Sequence, residues 1–372
     1  MLKAPRILFV PVSGAFGTGE YARSAAIARA AQRRWPGAEI HFILSRQAPY
    51  AATVPFAATL LDSSPTFHSR AVARLMKEFK PTIVVFDNAG RTAQLRVAHD
   101  LGARIVFISS RTRQRRKAFR WRWMGLLDEH WIAYPQLIAG DLTWLERFKL
   151  KRLGRPTVRY LDVILSRNVP EENSIVARVG LKPDGYLLIV PGGGTGHPGA
   201  DDAAEQFLRA ANALAETATV VFVGPTRAAD SGASSRTKSG NAVLPHSRLR
   251  CFSSLPQADL ADLLSHARLV VTNGGSTLLQ AIACGRACIA VPIADDQPKR
   301  IQYCVAAGIA AAADLSVPSI LRAAGKFLHD ESARAALARG AANLKLSNGV
   351  EIALNALAYL AETAAETAAE TA

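Results

Sequence analysis

The sequence predicts an α/β protein made of two parallel-sheet units, and three observations carry that expectation. The 372 residues are about two domains long at roughly one domain per 150 residues. Short β-branched runs alternate with helical patterns along the whole chain, as strands covered by helices require. The alternation also restarts after a polar, turn-rich stretch at 166–184. A hydrophobic content of 49% with 20% charged residues excludes a disordered or collagen-like chain.

Element by element, the first half offers Arg6–Val12, Glu39–Leu44, Thr82–Phe86, Arg104–Ile108 and His130–Ala133 as strands. Residues 166–184 contain Pro170, Glu171, Glu172, Asn173, Gly180, Pro183 and Asp184, which suit a linker. The second half offers Tyr186–Val190, Thr219–Val223, Leu249–Phe252, Leu269–Thr272 and Cys288–Val291. The expected division is 1–165, linker 166–184, 185–348, a helix at 349–360 that returns to the first domain, and a low-complexity tail at 361–372. The tail repeats Ala-Glu-Thr-Ala and is expected to be weakly helical and frayed. Arg227–Asn241, rich in Ser, Gly and charge, reads as a long loop.

No uninterrupted run of 18 apolar residues exists, so no helix that spans a bilayer is expected. Lys3 and Arg6 before Ile7–Val12 resemble a signal-peptide start, but the run is short and meets a Gly-rich loop without a small-residue cleavage site. The protein is therefore expected in the cytoplasm. Cys251, Cys284, Cys288 and Cys304 show neither a CxxC nor an interleaved histidine, the pattern of reduced core thiols rather than a zinc site.

Three glycine-rich turns follow strands. Gly14, Gly17 and Gly19 lie between Val12 and a helical segment at Tyr21–Trp35, where glycine admits a ligand to the backbone and the helix start offers free N–H groups. Gly17–Ala22 matches G-x-G-x-x-A, but the second strand ends in Ser45 and Arg46 rather than an acid, which leaves only NADP as a dinucleotide reading. A tight turn without ligand is the bland alternative. Glu20 opposes it, because a carboxylate at this mouth gains from the helix dipole and can accept a proton. Asp87, after Phe86, is a second candidate carboxylate, or a turn residue before Asn88-Ala89-Gly90.

In the second turn, Pro191–Gly199, Gly193, Gly194 and Thr195 leave N–H groups uncovered, which suits a diphosphate, and the absence of Lys-Ser/Thr excludes a Walker loop. His197 could donate there or remain a loop histidine in water. In the third, Asn273-Gly274-Gly275-Ser276-Thr277 opens a helix that carries Gln280 one turn on from Ser276, so N–H groups, hydroxyls and an amide share one face. Asp296 and Gln297, after the next strand, add partners for sugar hydroxyls.

The order Gly-Gly-Ser, helix, Gly, strand, Pro, Asp-Gln resembles the donor motif of nucleotide-sugar glycosyltransferases of the GT-B class. That class includes the lipid I N-acetylglucosaminyltransferase and the UDP-glucosyltransferases. The resemblance implies two Rossmann-like parallel-sheet domains facing across a cleft. It places Gly193, Gly194, Thr195, Ser276 and Thr277 at a diphosphate, the Phe252 backbone at a uracil-like base, and Asp296 and Gln297 at the sugar. Gln280 stands where the family has Glu on the ribose, and Glu20 stands where the family has a histidine base. With Glu20 and Asp87 as the catalytic pair, inverting transfer needs one base and N–H groups on the leaving diphosphate. No metal or other cofactor is called for, since no Asp-x-Asp motif is present.

Charge is segregated: residues 1–170 hold 28 Lys/Arg against 11 Asp/Glu, and the remainder 17 against 19. Ser109–Met124 concentrates seven of those cations, Arg115, Arg116 and Arg120 among them, with Trp121 and Trp123 interleaved. Such a segment suits an anionic membrane interface, and Phe148–Leu153 adds a second basic, apolar run. RNA or plain solvation are the alternatives. The expected function is transfer of a sugar, UDP-linked, to a lipid-linked or other membrane acceptor by a protein held peripherally on the inner face of the cytoplasmic membrane. The alternatives are a sugar-nucleotide epimerase or hydrolase of the same architecture, and a non-catalytic nucleic-acid or membrane adaptor.

Overall fold

In the computed structural model, the described residues are 4–15, 18–165, 174–192, 200–225 and 248–370. They form two compact units, one of residues 1–164 with 347–372 and one of residues 165–346.

Unit 1 is built on seven parallel strands: β1 (Arg6–Pro11), β2 (Glu39–Ser45), β3 (Ala57–Leu61), β4 (Ile83–Asp87), β5 (Arg104–Ser109), β6 (Glu129–Ile132) and β7 (Thr157–Tyr160). Their order is β3-β2-β1-β4-β5-β6-β7. Five are the predicted strands within one or two residues. The central ones are buried on both faces, as apolar runs such as ILFV and IVVF require. Helix Gly19–Arg34 covers one face with Ile27, Ala28 and Ala31, beside Ala353, Ala356 and Leu357 of the C-terminal helix. That helix runs Gly349–Glu370, so the Ala-Glu-Thr repeats are helical backbone rather than a frayed tail. Ala361 still packs on the core, and the Thr363 carbonyl accepts from Arg104 at 3.0 Å. At its start a Cβ on Gly349 would overlap the Leu161 carbonyl, so only glycine lets the chain pass there.

Unit 2 has six parallel strands: β8 (Leu187–Val190), β9 (Val220–Val223), β10 (Leu249–Phe252), β11 (Leu269–Asn273), β12 (Cys288–Val291) and β13 (Ala311–Ala312), in the order β10-β9-β8-β11-β12-β13. The described part of the predicted linker, from Ser174, is structured within this unit. It contains helix Ile175–Arg178, whose Ile175 and Val176 are buried, and Ser174 donates to Asp262 at 2.7 Å. All four cysteines are free thiols, three of them buried. Burial pushes Cys251 and Cys304 up to about 11, which keeps them protonated and inert.

Candidate active site

Each sheet reverses direction once, and open parallel sheets bind ligands outside the carboxyl ends of the strands at that point. In unit 1 the reversal lies between β1 and β4, paired with Pro11 opposite Asp87. In unit 2 it lies between β8 and β11, with Val190 opposite Thr272. The described starts of the first and second glycine turns, through residues 15 and 192, and the Asn273 turn therefore follow the strands at these points.

At the unit 1 reversal, Gly19 and Glu20 begin the helix that follows β1. Glu20 is mostly buried, its side chain 14% exposed. Its Oε1 accepts from Asn88 Nδ2 at 2.9 Å and stands 4.0 Å from Arg111. Asn88 adopts φ +53° and also grips Ser110, donating to its hydroxyl and accepting from its N–H at 2.9 Å. The carboxylate is thus held at one oxygen by an amide. Gly17 lies outside the described residues.

Asp87, the second candidate carboxylate, is placed in the core rather than on the surface of the turn. It is fully buried, and Arg23 donates to both of its oxygens at 2.8 and 2.6 Å, with Ser24 at 3.4 Å. Burial pushes its carboxyl up to about 6, while Arg23 pulls the other way. With its side chain fully buried and both oxygens engaged by Arg23, Asp87 presents no exposed atom to an incoming hydroxyl. Asp87 and Arg23, which the sequence reading passed over, anchor the helix that carries Glu20.

At the unit 2 reversal the turn Asn273–Ser276 is fixed from three sides. Asn273 Oδ1 accepts from Gly275 N–H at 2.9 Å. Gln297, 6% exposed, accepts from Gly274 N–H at 3.1 Å and from Ile293 N–H at 2.9 Å. Arg300 donates to the Gly274 carbonyl, and to Asp296 at 3.0 Å. Gly192, with φ +90°, lies so close to the Asn273 amide that a Cβ would collide with it. The helix Ser276–Ala283 starts without any side-chain cap among the described residues, so its first-turn N–H groups remain for a ligand. Ser276 is exposed and Thr277 and Gln280 are partly exposed on this helix.

Two predicted donor contacts are already partly engaged here. The Gln297 side-chain oxygen is occupied by two backbone N–H groups, so only its Nε2 could still meet a ligand. The Phe252 carbonyl accepts from Gly224 N–H at 2.9 Å, which uses one of its two lone pairs. Asp296 is exposed and paired with Arg300. Gly193, Gly194, Thr195 and His197 lie outside the described residues, as does the loop at 227–241. Arg300 was missed; its only signal was a cation four residues after Asp296, on one helix face.

The predicted membrane residues also divide. Ser109–Met124 forms two short helices, Thr112–Ala118 and Trp121–Met124. Arg115 turns inward to Glu146 at 2.8 Å and to the carbonyls of Ala139 and Asp141, both at 2.7 Å, and Trp123 is core, edge-on to Phe107. Neither can meet a bilayer. Arg116, Arg120 and Trp121 are exposed.

A family model described as UDP-N-acetylglucosamine 2-epimerase matches residues 163–346. No curated protein matches the sequence. Among solved structures, the chain is similar to CalG4, the calicheamicin glycosyltransferase, at 16% identity over 96% of this chain and 98% of that one, with a TM-score of 0.62. A structure of Phytolacca americana UGT2 with UDP-2fluoro-glucose and pterostilbene matches at 15% identity over 96% and 100%, with a TM-score of 0.62. A UDP-N-acetylglucosamine 2-epimerase matches at 13% identity over 95% and 94%, with a TM-score of 0.56. The chain has the two-domain α/β architecture of these proteins, the GT-B fold.

Proposed function

We propose that this chain is an enzyme that takes a nucleotide diphosphate sugar, UDP-linked, in unit 2 and transfers the sugar with inversion to a hydroxyl of a membrane-associated acceptor. The observation that carries the reading is the Asn273–Ser276 turn. Both ends of the Gly274 peptide are held by Gln297 and Arg300, and an uncapped helix start follows. Such a turn presents N–H groups that are already oriented, which suits the charge that develops on a departing diphosphate.

In this mechanism Glu20 takes the proton of the acceptor hydroxyl as that oxygen bonds to the anomeric carbon. The bond from that carbon to the phosphate oxygen breaks, and its electron pair leaves with the diphosphate. The amide of Asn88 fixes the Glu20 carboxylate in one orientation for this step. Glu20→Gln should lower kcat by about 100- to 10,000-fold without changing thermal stability. Undiminished turnover removes Glu20 as the base.

The match of residues 163–346 to an epimerase family favours one second reading, isomerisation of the bound sugar without acceptor. Thermal unfolding with UDP, TDP, GDP, ADP and NADP in turn tests the pocket, since a ligand at about 100 times its Kd adds roughly 2.7 kcal/mol. Incubation with UDP-N-acetylglucosamine or UDP-glucose, with and without membrane extract, then separates the activities. UDP release that needs the extract supports transfer, and conversion of the sugar at full rate without it supports epimerisation. RNA binding with no response to any nucleotide supports the adaptor.

A further inference from the structure

Helix Trp144–Leu153 of unit 1 is inverted relative to an ordinary surface helix. Its one acid, Glu146, points inward: it caps the helix by accepting from Thr143 N–H at 2.8 Å and pairs with Arg115. Its large apolar side chains point outward, with Trp144 68%, Phe148 56% and Leu145 47% exposed. Arg147, Lys151 and Arg152 are exposed beside them. Trp121, 48% exposed, adjoins this helix: Lys149 lies over its ring at 5.6 Å and donates to the Phe119 carbonyl at 3.0 Å.

We propose that this face, Trp121 with Trp144, Leu145 and Phe148 and the cations around them, is a docking surface for an anionic lipid bilayer. Three features select that occupant. Aliphatic and aromatic side chains stand together, which suits insertion at headgroup depth, whereas nucleic-acid stacking uses the aromatic rings alone. Among the described residues, Arg113, Arg116, Arg120, Arg122, Lys151 and Arg152 make no ion pair, so their charge is free for phosphate headgroups. The nearby acids are already engaged: Glu146 by Arg115, and Asp141 by Gln136. No helix among the described residues is long and apolar enough to cross a membrane, so the contact is peripheral.

The proposal deepens the membrane-associated acceptor of the reading above, and its test uses no catalysis, so the two can fail separately. The purified full chain is sedimented with vesicles of phosphatidylcholine alone and of phosphatidylcholine mixed with phosphatidylglycerol. Binding is expected only to the anionic vesicles. Trp144→Ser with Phe148→Ser, and separately Lys151→Glu with Arg152→Glu, should each weaken it by at least about tenfold. Arg70→Glu with Lys77→Glu, a charge change of the same size on another helix, should leave it within about twofold, which separates a docking face from general attraction to basic protein. All these side chains are exposed, so unfolding temperatures should stay level, and that is checked alongside. Equal binding by the patch variants overturns the proposal. So does no binding of the unaltered protein to anionic vesicles, whether or not it binds an RNA oligomer. A concentration-dependent dimer that the Trp144/Phe148 variant abolishes overturns it in favour of a second copy.

Discussion

At the reversal point of the first sheet, β4 closes on Asp87, sealed in an ion pair with Arg23. At the same point of the second sheet, β11 closes on Asn273, and two neutral amides with the cation Arg300 do the fixing. The backbone plan is shared, and the electrostatics differ. In unit 1 the cation Arg23 is neutralised by Asp87, and Glu20 adds a negative charge at the mouth of the turn. In unit 2 the amides add no charge and the one ionic group on the turn, Arg300, is a cation, so no acid offsets the positive dipole end of helix Ser276–Ala283 at the turn itself. The proposed placing of a diphosphate at the second reversal and of a proton acceptor at the first rests on this difference in side-chain chemistry, since the topology of the two is alike.

The largest test of this contrast is the buried ion pair. Arg23→Ala strips the buried Asp87 of its counter-ion and of two hydrogen bonds, and should destabilise unit 1 by about 3–5 kcal/mol, while Arg23→Met with Asp87→Leu should be nearly neutral. Urea denaturation followed by tryptophan fluorescence measures this cleanly, because Trp35, Trp121, Trp123, Trp131 and Trp144 all belong to unit 1. A cost below about 1 kcal/mol for Arg23→Ala would mean that the pair is hydrated and that the contrast between the two reversals is false. Next in size, Gly192→Ala forces a side chain into the left-handed region and against Asn273. It should cost about 1–3 kcal/mol and abolish the stabilisation by UDP, with unit 1 fluorescence unfolding unchanged.

Unit 1 also carries two buried groups that should respond to acid in opposite senses. Burial holds His130 of unit 1 neutral, down at about 3, with Arg115 adding to the effect. The unfolded chain binds that proton at about 6.5, so His130 stabilises fully above about 6.5, and that stability is lost as pH falls towards 3, by at most about 1.4 kcal/mol per pH unit. Asp87 acts in the opposite sense: with its carboxyl raised to about 6, the folded state binds the extra proton between roughly pH 4 and 6, and acidification there stabilises. Unit 1 stability should therefore be nearly flat from about pH 6 to 4 and fall below it. His130→Phe, which keeps the aromatic contacts with Phe107 and Phe119, should instead gain stability on acidification between about pH 6 and 4. An unchanged profile in that variant would show that neither group sets the response.

The same contrast explains what was legible in the sequence. The strands that apolar runs announce are the central ones, buried on both faces, and one well-buried edge, β10. The three that went unread are the other edges: β3 and β7 of the first sheet and β13 of the second. β3 and β7 are only half buried, and β13 is two residues long. An edge strand needs little hydrophobic pattern because one side has no strand to pair with. The Asn273–Ser276 turn was legible because glycine, an amide and a hydroxyl recur there for backbone reasons. The fates of Asp87, Arg115, Trp123 and Gln297 were not, because each depends on a partner distant in sequence: Arg23, Glu146, Phe107 and Gly274. Composition marked Arg115 and Trp123 as surface residues of a basic segment, whereas only the fold reveals that Glu146 draws one inward and the core takes the other.

The smallest expected effect separates two neighbours that the motif treats alike. Asp296 is 71% exposed, and its bond to Arg300 is open to water, so Asp296→Ala should change stability by less than about 1 kcal/mol. Gln297 is buried and receives two N–H groups, from Gly274 and from Ile293, so Gln297→Ala leaves both donors unpaired and should cost more, roughly 1–3 kcal/mol for each buried donor. If Asp296 contacts the sugar, Asp296→Ala raises the KM for the nucleotide sugar while the shift given by UDP alone stays the same. Gln297→Ala should weaken UDP itself, because the Gly274 peptide it holds would no longer be fixed beside the helix start. Equal losses of UDP binding in both variants would mean that Arg300, rather than Gln297, sets the turn, since Arg300 is the side chain that touches both Asp296 and Gly274.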